Sequence, residues 1–314
     1  MDILGLGYLG LESPNAKLWR EYGPEVLGMG LNEEGPDGDV VLLTMDDRHH
    51  RIAVRQGDTD RLAYLGWEAR DRFAFEAGVD KLQAAGIAVT VGDEAMADER
   101  AVHGVARFVS PDGFTHEIYY GHSFMTHSYR PGRPFGGFVA DNSGLGHVVL
   151  IVPELTKELT QFNRDILGFD WFGYGMYRGQ AEFYRPKLQR RTHSLAYIAV
   201  PGRHGMDHIG LEVQELDDVG IAQDLVRDRG LPIHMTMGRH TQDPCISFYS
   251  YTPTGGKIEY IWGGAEYPQE EFFETKAARL SVWGHHVEET KSASTVGPAG
   301  KRPAASSVGQ NGID

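Results

Sequence analysis

Asp207-His-Ile-Gly-Leu-Glu212 repeats the pattern of Ala63-Tyr-Leu-Gly-Trp-Glu68, 144 residues earlier. Working outward from this pair, Gly144-Leu-Gly-His-Val-Val-Leu150 matches Gly5-Leu-Gly-Tyr-Leu-Gly-Leu11 at an offset of 139 residues. Thr252-Pro-Thr-Gly-Gly-Lys-Ile-Glu-Tyr260 matches Ser110-Pro-Asp-Gly-Phe-Thr-His-Glu-Ile118 at an offset of 142. Three collinear offsets that differ by only a few residues point to a duplicated domain rather than to chance. The alignment sets Tyr8 opposite His147, Tyr64 opposite His208 and Glu117 opposite Glu259.

Each half alternates short strands with one helix. After the strand His147–Ile151, the residues Leu155, Leu159, Phe162 and Ile166 recur at helical spacing, with Gly168 as the cap. The order returns in the strand His208–Val213 and the residues Val219, Ala222, Leu225 and Val226, closed by Gly230. Strand-like segments follow at Ile246–Tyr251 and Lys257–Trp262. The expected class is α+β, with tandem βαβββ units in two similar domains, each a half-open barrel. The expected boundaries are a first domain at 1–125 that lacks metal, a linker at 126–143, a catalytic domain at 144–270 and an extension at 271–314 ending in a flexible tail. The tail reading rests on the Ser-, Ala-, Gly- and Pro-rich run from Glu288 onward.

A chain of 314 residues with 41% apolar residues can bury a large core. Its net charge of −14 opposes binding to nucleic acid or to anionic lipid. The single Cys245 cannot form an internal disulfide, and neither a signal-like start nor a membrane-length apolar run is present, so a cytoplasmic location is expected.

Alternation along a strand sends His208, Gly210 and Glu212 to one face. If the sheet curls, His147, His208 and Glu259 can meet at a point. Two imidazoles and a carboxylate on one side of a metal form the facial triad of non-haem Fe(II) sites, which leaves positions open for substrate and O2. A lone strand His is more often structural than a ligand. The repeat raises the expectation here, because the first half keeps the pattern but replaces both His by Tyr. One carboxylate and two phenols make a poor Fe(II) site, so the first half reads as a structural copy.

These residues, together with Gly238-Arg-His-Thr-Gln-Asp243, Ser247-Phe-Tyr-Ser-Tyr-Thr-Pro253 and Ile258-Glu-Tyr260, resemble the type I extradiol ring-cleaving dioxygenases, above all those acting on 2,3-dihydroxybiphenyl. The resemblance runs from about Met1 to Gly264. It implies the vicinal oxygen chelate fold and Fe(II) at His147, His208 and Glu259, although the ligand types also admit Mn(II). It further implies His193 as the acid and base near the oxygen site, and His240 and Tyr249 as hydrogen-bond partners of a bound catecholate, with Asp243 behind His240. The family often pairs two His at the acid/base position, whereas this chain has Arg190-Arg-Thr-His193-Ser. Titration near neutrality suits His for the proton transfers, and a Tyr hydroxyl can donate to a developing oxyanion. The implied partners are a catechol, O2 and further copies of the chain. Met176, Tyr177, Phe183 and Tyr197 are divided evenly between substrate pocket and ordinary core.

Other signals are set aside. Gly5-Leu-Gly-Tyr-Leu-Gly10 fits a dinucleotide-binding pattern but lies within a strand-like segment. His49-His50 reads as an exposed turn, and Cys245 as a buried, unactivated thiol. Two alternatives remain: a metal-dependent isomerase or lyase of glyoxalase type, and a non-catalytic ligand-binding protein of the same superfamily.

Overall fold

The computed structural model describes residues 1–32, 39–176 and 180–288, and the side chain of Met176 is not among the described parts. Its strands fall into two curled sheets. The first contains β1 (Ile3–Ser13), β2 (Gly30–Asn32), β3 (Val40–Thr44), β4 (Ile52–Gln56), β5 (Arg61–Ala69), β6 (Val89–Val91), β7 (Val102–Val109) and β8 (Thr115–His122). The second contains β9 (His147–Val152), β10 (Phe169–Met176), β11 (Gln180–Pro186), β12 (Leu195–Ala199), β13 (Gly205–Val213), β14 (Ile233–His240), β15 (Ile246–Tyr251), β16 (Lys257–Trp262), β17 (Thr275–Ala277) and β18 (Ser281–Gly284).

The first sheet runs β2-β3-β4-β1-β5-β8-β7-β6. The second repeats that order as β10-β11-β12-β9-β13-β16-β15-β14, then adds β17 at one edge and β18 at the other. Each sheet is therefore two βαβββ units joined through their first strands. β1 and β5 pair antiparallel at one seam, and β9 and β13 do so at the other.

The helices form where the sequence patterns them. Arg72–Ala84 starts at Asp71, whose carboxylate accepts from the Ala74 amide, and it buries Phe75, Val79 and Leu82. Leu216–Asp228 buries Val219, Ala222 and Val226. Thr156 caps Lys157–Gln161, which continues as a wider turn through Phe162–Ile166 to Gly168 at φ 76°. The Gly5–Gly10 run lies inside β1, as its strand-like reading requires.

One hydrophobic core spans both sheets, with Leu6, Leu9, Trp67, Val148, Ile209 and Phe248 all buried. Trp67 meets Phe169 edge-on at 4.9 Å between ring centroids. Residues 126–143, read as a linker, are tied to both halves. The Tyr129 hydroxyl donates to the Gly28 carbonyl, the Gly136 amide donates to Asp218, and Phe138 bridges Val213.

The extension at 271–314 begins with two short strands. β17 pairs with β10, and β18 pairs with β14, so the described part of the extension covers both edges of the second sheet. Those pairings are made with strands far away in sequence, which is why local periodicity carries no trace of them. Residues 289–314, the rest of the expected tail, lie outside the described residues.

Candidate metal centre

Three neighbouring strands build the site in a shared register. His147 on β9 faces Gly210 on β13, and Gly210 faces Glu259 on β16. A β-carbon on Gly210 would lie 2.2 to 2.5 Å from atoms of the His147 ring, so the missing side chain is what lets the imidazole lie across the strand. His208, two residues before Gly210, projects from the same face. The first half has the same row, Tyr8 to Gly66 to Glu117. The duplication is thus conserved at the level of individual strand partners.

The three side chains converge. His147 Nε2 lies 3.2 Å from His208 Nε2 and 3.1 Å from Glu259 Oε2, and His208 Nε2 lies 3.3 Å from the same oxygen. Bonds of about 2.1 Å to one cation at right angles put donor atoms about 3.0 Å apart. The observed separations fit that tripod. The chemistry fits as well. His208 Nδ1 is 2.7 Å from Asp207 Oδ2, and Asp207 Oδ1 accepts from Lys257 Nζ at 2.8 Å. A proton held on Nδ1 by Asp207 leaves the Nε2 lone pair facing His147 and Glu259, an arrangement of electron-rich atoms that a cation stabilises. Among the described residues, His147, His208 and Glu259 form a buried group able to hold a metal ion.

The electrostatics agree. Burial alone would raise Glu259, yet the imidazoles of His147, His208 and His240 around it hold it well below the ordinary carboxylate range. Burial lowers His147 despite the pull of Glu259. For His208, burial is outweighed by Asp207 and Glu259, and its pKa rises.

The residues expected around the metal gather on two sides of it. On one side the His193 ring lies 4.4 Å from the His147 ring, with Phe183 edge-on to it at 5.1 Å. Burial, reinforced by His147, lowers His193 well below the ordinary His range. On the other side His240 Nε2 is 2.9 Å from the Tyr249 hydroxyl and 3.0 Å from Glu259 Oε1. Burial, reinforced by the Glu259 charge, raises Tyr249 well above its usual value and keeps it protonated.

Asp243 departs from expectation. Its carboxylate takes the Thr192 hydroxyl at 2.5 Å and the Ala265 amide at 2.9 Å, and Thr192 Oγ1 lies 2.9 Å from His193 Nδ1. The loop after β14 thus carries Asp243 to the loop before β12, where its hydrogen bonds back His193, while its charge also acts on His240. Burial pushes its carboxyl up to about 6. Tyr197 is core, with its hydroxyl on Asp112, whereas Phe183 lines the cavity. Tyr177 and the Met176 side chain lie outside the described residues. Cys245 is buried, and burial raises its thiol well above normal, consistent with an unactivated cysteine.

His50 is also corrected. It is buried, 5.9 Å from the Tyr8 ring, and not on an exposed turn. It occupies the position that the repeat makes equivalent to His193, which is only partly buried in the second half. The first half meets its carboxylate with cations of its own. Arg100 Nε and Arg107 Nη2 reach Glu117 at 3.0 and 2.7 Å, the Tyr8 hydroxyl donates at 2.8 Å, and the Arg100 guanidinium lies 3.8 Å over the Tyr64 ring.

The tripod opens into a cavity of about 600 Å³, in the range of small-molecule sites. Phe172, Phe183, Ile198, Leu280 and Val287 give it apolar walls. Sequence reasoning missed Asp207, Thr192, Ser247 and His285. The Asp-His dipeptide was the one visible signal, for Asp207.

Residues 144–260 match the model of the Glyoxalase/Bleomycin resistance protein/Dioxygenase superfamily, and residues 6–57 match that of Dihydroxybiphenyl dioxygenase BphC D1. A biphenyl-2,3-diol 1,2-dioxygenase of Sphingomonas paucimobilis is 37% identical over 90% of this chain and 94% of its own. The chain belongs to the extradiol ring-cleaving dioxygenases of the vicinal oxygen chelate superfamily. A 1,2-dihydroxynaphthalene dioxygenase of Sphingobium xenophagum is 38% identical, covering 90% and 95% of the two chains. An iron-dependent extradiol dioxygenase of Rhodococcus jostii (strain RHA1) is 34% identical, covering 91% and 97%. The crystal structure of BphC, a halotolerant catechol dioxygenase, superposes with a TM-score of 0.85 at 34% identity, covering 91% and 95%. An extradiol dioxygenase needs a metal centre, which the tripod could supply, and membership sets aside the isomerase and ligand-binding alternatives. Among the described residues no helix is long and apolar enough to cross a membrane.

Proposed function

We propose that this extradiol dioxygenase opens an aryl-substituted catechol of the 2,3-dihydroxybiphenyl type, using Fe(II) held by His147, His208 and Glu259. The observation that carries this reading is the buried tripod at the floor of an apolar cavity, with His193 on one flank and His240 and Tyr249 on the other. The phenyl and aliphatic walls suit a second ring.

When bound, Fe(II) holds the diol and O2 together and conducts electron density from one to the other. The residues handle protons and orientation. Burial keeps His193 neutral, so its ring can accept the second hydroxyl proton of the catechol and return it later. The Thr192–Asp243 pair fixes the Nδ1 side of that ring. Tyr249, held protonated, donates toward the ring oxygen, and His240 orients Tyr249. The apolar walls exclude water. The first half serves as a scaffold without metal, because Arg100 and Arg107 already neutralise Glu117.

Protein loaded with Fe(II) and given 2,3-dihydroxybiphenyl under air should consume O2 and form a yellow ring-opened product. Absence of O2 uptake with every catechol tried would defeat the proposal. Equal turnover under strict anaerobiosis would favour an isomerase. A cytoplasmic homo-oligomer completes the proposal and rests on the resemblance to the family. Light scattering of the purified protein tests the assembly.

A further inference from the structure

His285 lies far from the residues that sequence patterns mark, yet the chain places it inside the site. It is on the extension, next to β18, and lines the same cavity as the tripod. Its ring faces that of His240 at 4.2 Å between centroids and that of Tyr249 at 5.7 Å. Only 6% of the residue is exposed.

A directed chain of hydrogen bonds runs through it. Ser281 Oγ lies 2.6 Å from His285 Nδ1, and His285 Nε2 lies 3.1 Å from both Ser247 Oγ and the Ser247 carbonyl. Ser247 Oγ donates to Glu259 Oε1 at 2.6 Å. A carbonyl can only accept, so Nε2 carries the proton and Nδ1 accepts from Ser281. The Nε2 proton is then shared between the Ser247 hydroxyl and carbonyl oxygens, and the chain ends on the carboxylate oxygen that also meets His240. The same extension supplies the Leu280 carbonyl, 3.1 Å from His240 Nδ1.

The backbone is arranged around this placement. His285 has φ 52°, a left-handed conformation that non-glycine residues hold only where the surroundings impose it. Opposite it, a β-carbon on Gly238 would lie 2.4 Å from the His285 amide and 2.6 Å from its ring. β14 therefore leaves room for His285 where any side chain would expel it.

We infer that His285 is a positioning residue of the active site, which through Ser247 sets the orientation of Glu259 and by ring contact sets that of His240. This rests on the dioxygenase reading above. It makes the segment Leu280–His285 part of the catalytic apparatus as well as the cover of a sheet edge.

The test uses Fe(II)-loaded full-length protein, with steady-state O2 uptake and the electron paramagnetic resonance spectrum of the nitric oxide adduct. His285→Ala should lower kcat about 10-fold or more, as changes to outer partners of metal ligands do, with KM and iron content within about twofold. It should also shift the rhombicity of the nitrosyl spectrum, which reads the ligand field that Glu259 helps set. In a His240→Ala background the same substitution should cost less than it does beside an intact His240, because the ring-contact route is gone while the route through Ser247 remains. If His285→Ala does not fold, Ser281→Ala removes only the hydroxyl that orients the ring and should give smaller changes of the same kind. A wild-type rate and an unaltered spectrum, or the same loss of rate in both backgrounds, would overturn the inference. A wild-type protein that gives the nitrosyl signal but consumes no O2 with any catechol would defeat the dioxygenase reading, while the spectral comparison would still decide the role of His285.

Discussion

Removing the carboxylate behind His208 should weaken iron binding by an amount that separates charge from hydrogen bonding. Asp207 lies 2.7 Å from His208 Nδ1, and its other oxygen accepts from Lys257 at 2.8 Å. Asp207→Asn can keep an acceptor for the Nδ1 proton but loses the negative charge. A hydrogen bond to a charged group contributes about 1.5–3 kcal/mol and a neutral one about 0.5–1.5 kcal/mol. The amide should therefore cost about 1 kcal/mol, or roughly fivefold in the Fe(II) dissociation constant. Asp207→Ala loses both contributions and frees the His208 ring to rotate, so about 2 kcal/mol, or roughly 30-fold, is expected. Lys257 can turn to water, since its side chain is 16% exposed, so its lost partner adds little. Anaerobic titration with Fe(II) against a competing chelator measures the constants. Equal affinities for the three proteins would refute the assignment of His208 Nε2 as a ligand fixed from behind by Asp207. A larger loss for the amide than for alanine would show that the retained acceptor has no role.

Matched positions give a second test: His208→Ala should abolish iron retention and turnover, whereas Tyr64→Ala should leave iron in place and cost about 1–2 kcal/mol in denaturant unfolding. Iron loss in the Tyr64 variant alone would reverse the roles of the halves. Tyr249→Phe should slow kcat about 10-fold or more with iron retained, and a fully active variant would remove Tyr249 from the mechanism. Glu117→Ala strands the buried Arg100 guanidinium, while the exposed Arg107 can turn to water, and should destabilise the fold by about 3 kcal/mol without changing iron affinity. The pH dependence of stability should reveal Glu68, which burial would raise but His122 and Arg48 hold at about 2. A folded-state pKa below the unfolded value stabilises above the unfolded value, and this stability is lost as pH falls toward the folded one. Relative to Glu68→Gln, the wild-type advantage should be about 1–2 kcal/mol smaller at pH 3.5 than at pH 7. A pH-independent difference in denaturant unfolding would count against the ionised pair.

The repeat made the metal row legible because strand register is a local property. Tyr8–Gly66–Glu117 and His147–Gly210–Glu259 use the same strand partners, so aligning the halves aligned the sites. Two-residue alternation then put His208 on the face of Gly210. The helices of the second half were equally readable, because their buried stripes and caps lie within one or two turns of each other.

What only the tertiary structure decided depends on contacts between segments with no common period. Asp243 serves His193 because two loops meet across the second sheet, and nothing in Arg190–Ser194 encodes that meeting. His50 is buried because the sheet that surrounds it curls, although its own segment reads as polar. His285 reaches the site because β18 pairs with β14 around Gly238, a contact between residues about forty-five positions apart. By itself the sequence determined the duplicated framework and the half in which two imidazoles and a carboxylate share one face. The partners that orient those side chains were decided by chain crossings, since a hydrogen bond between distant segments leaves no pattern along either one.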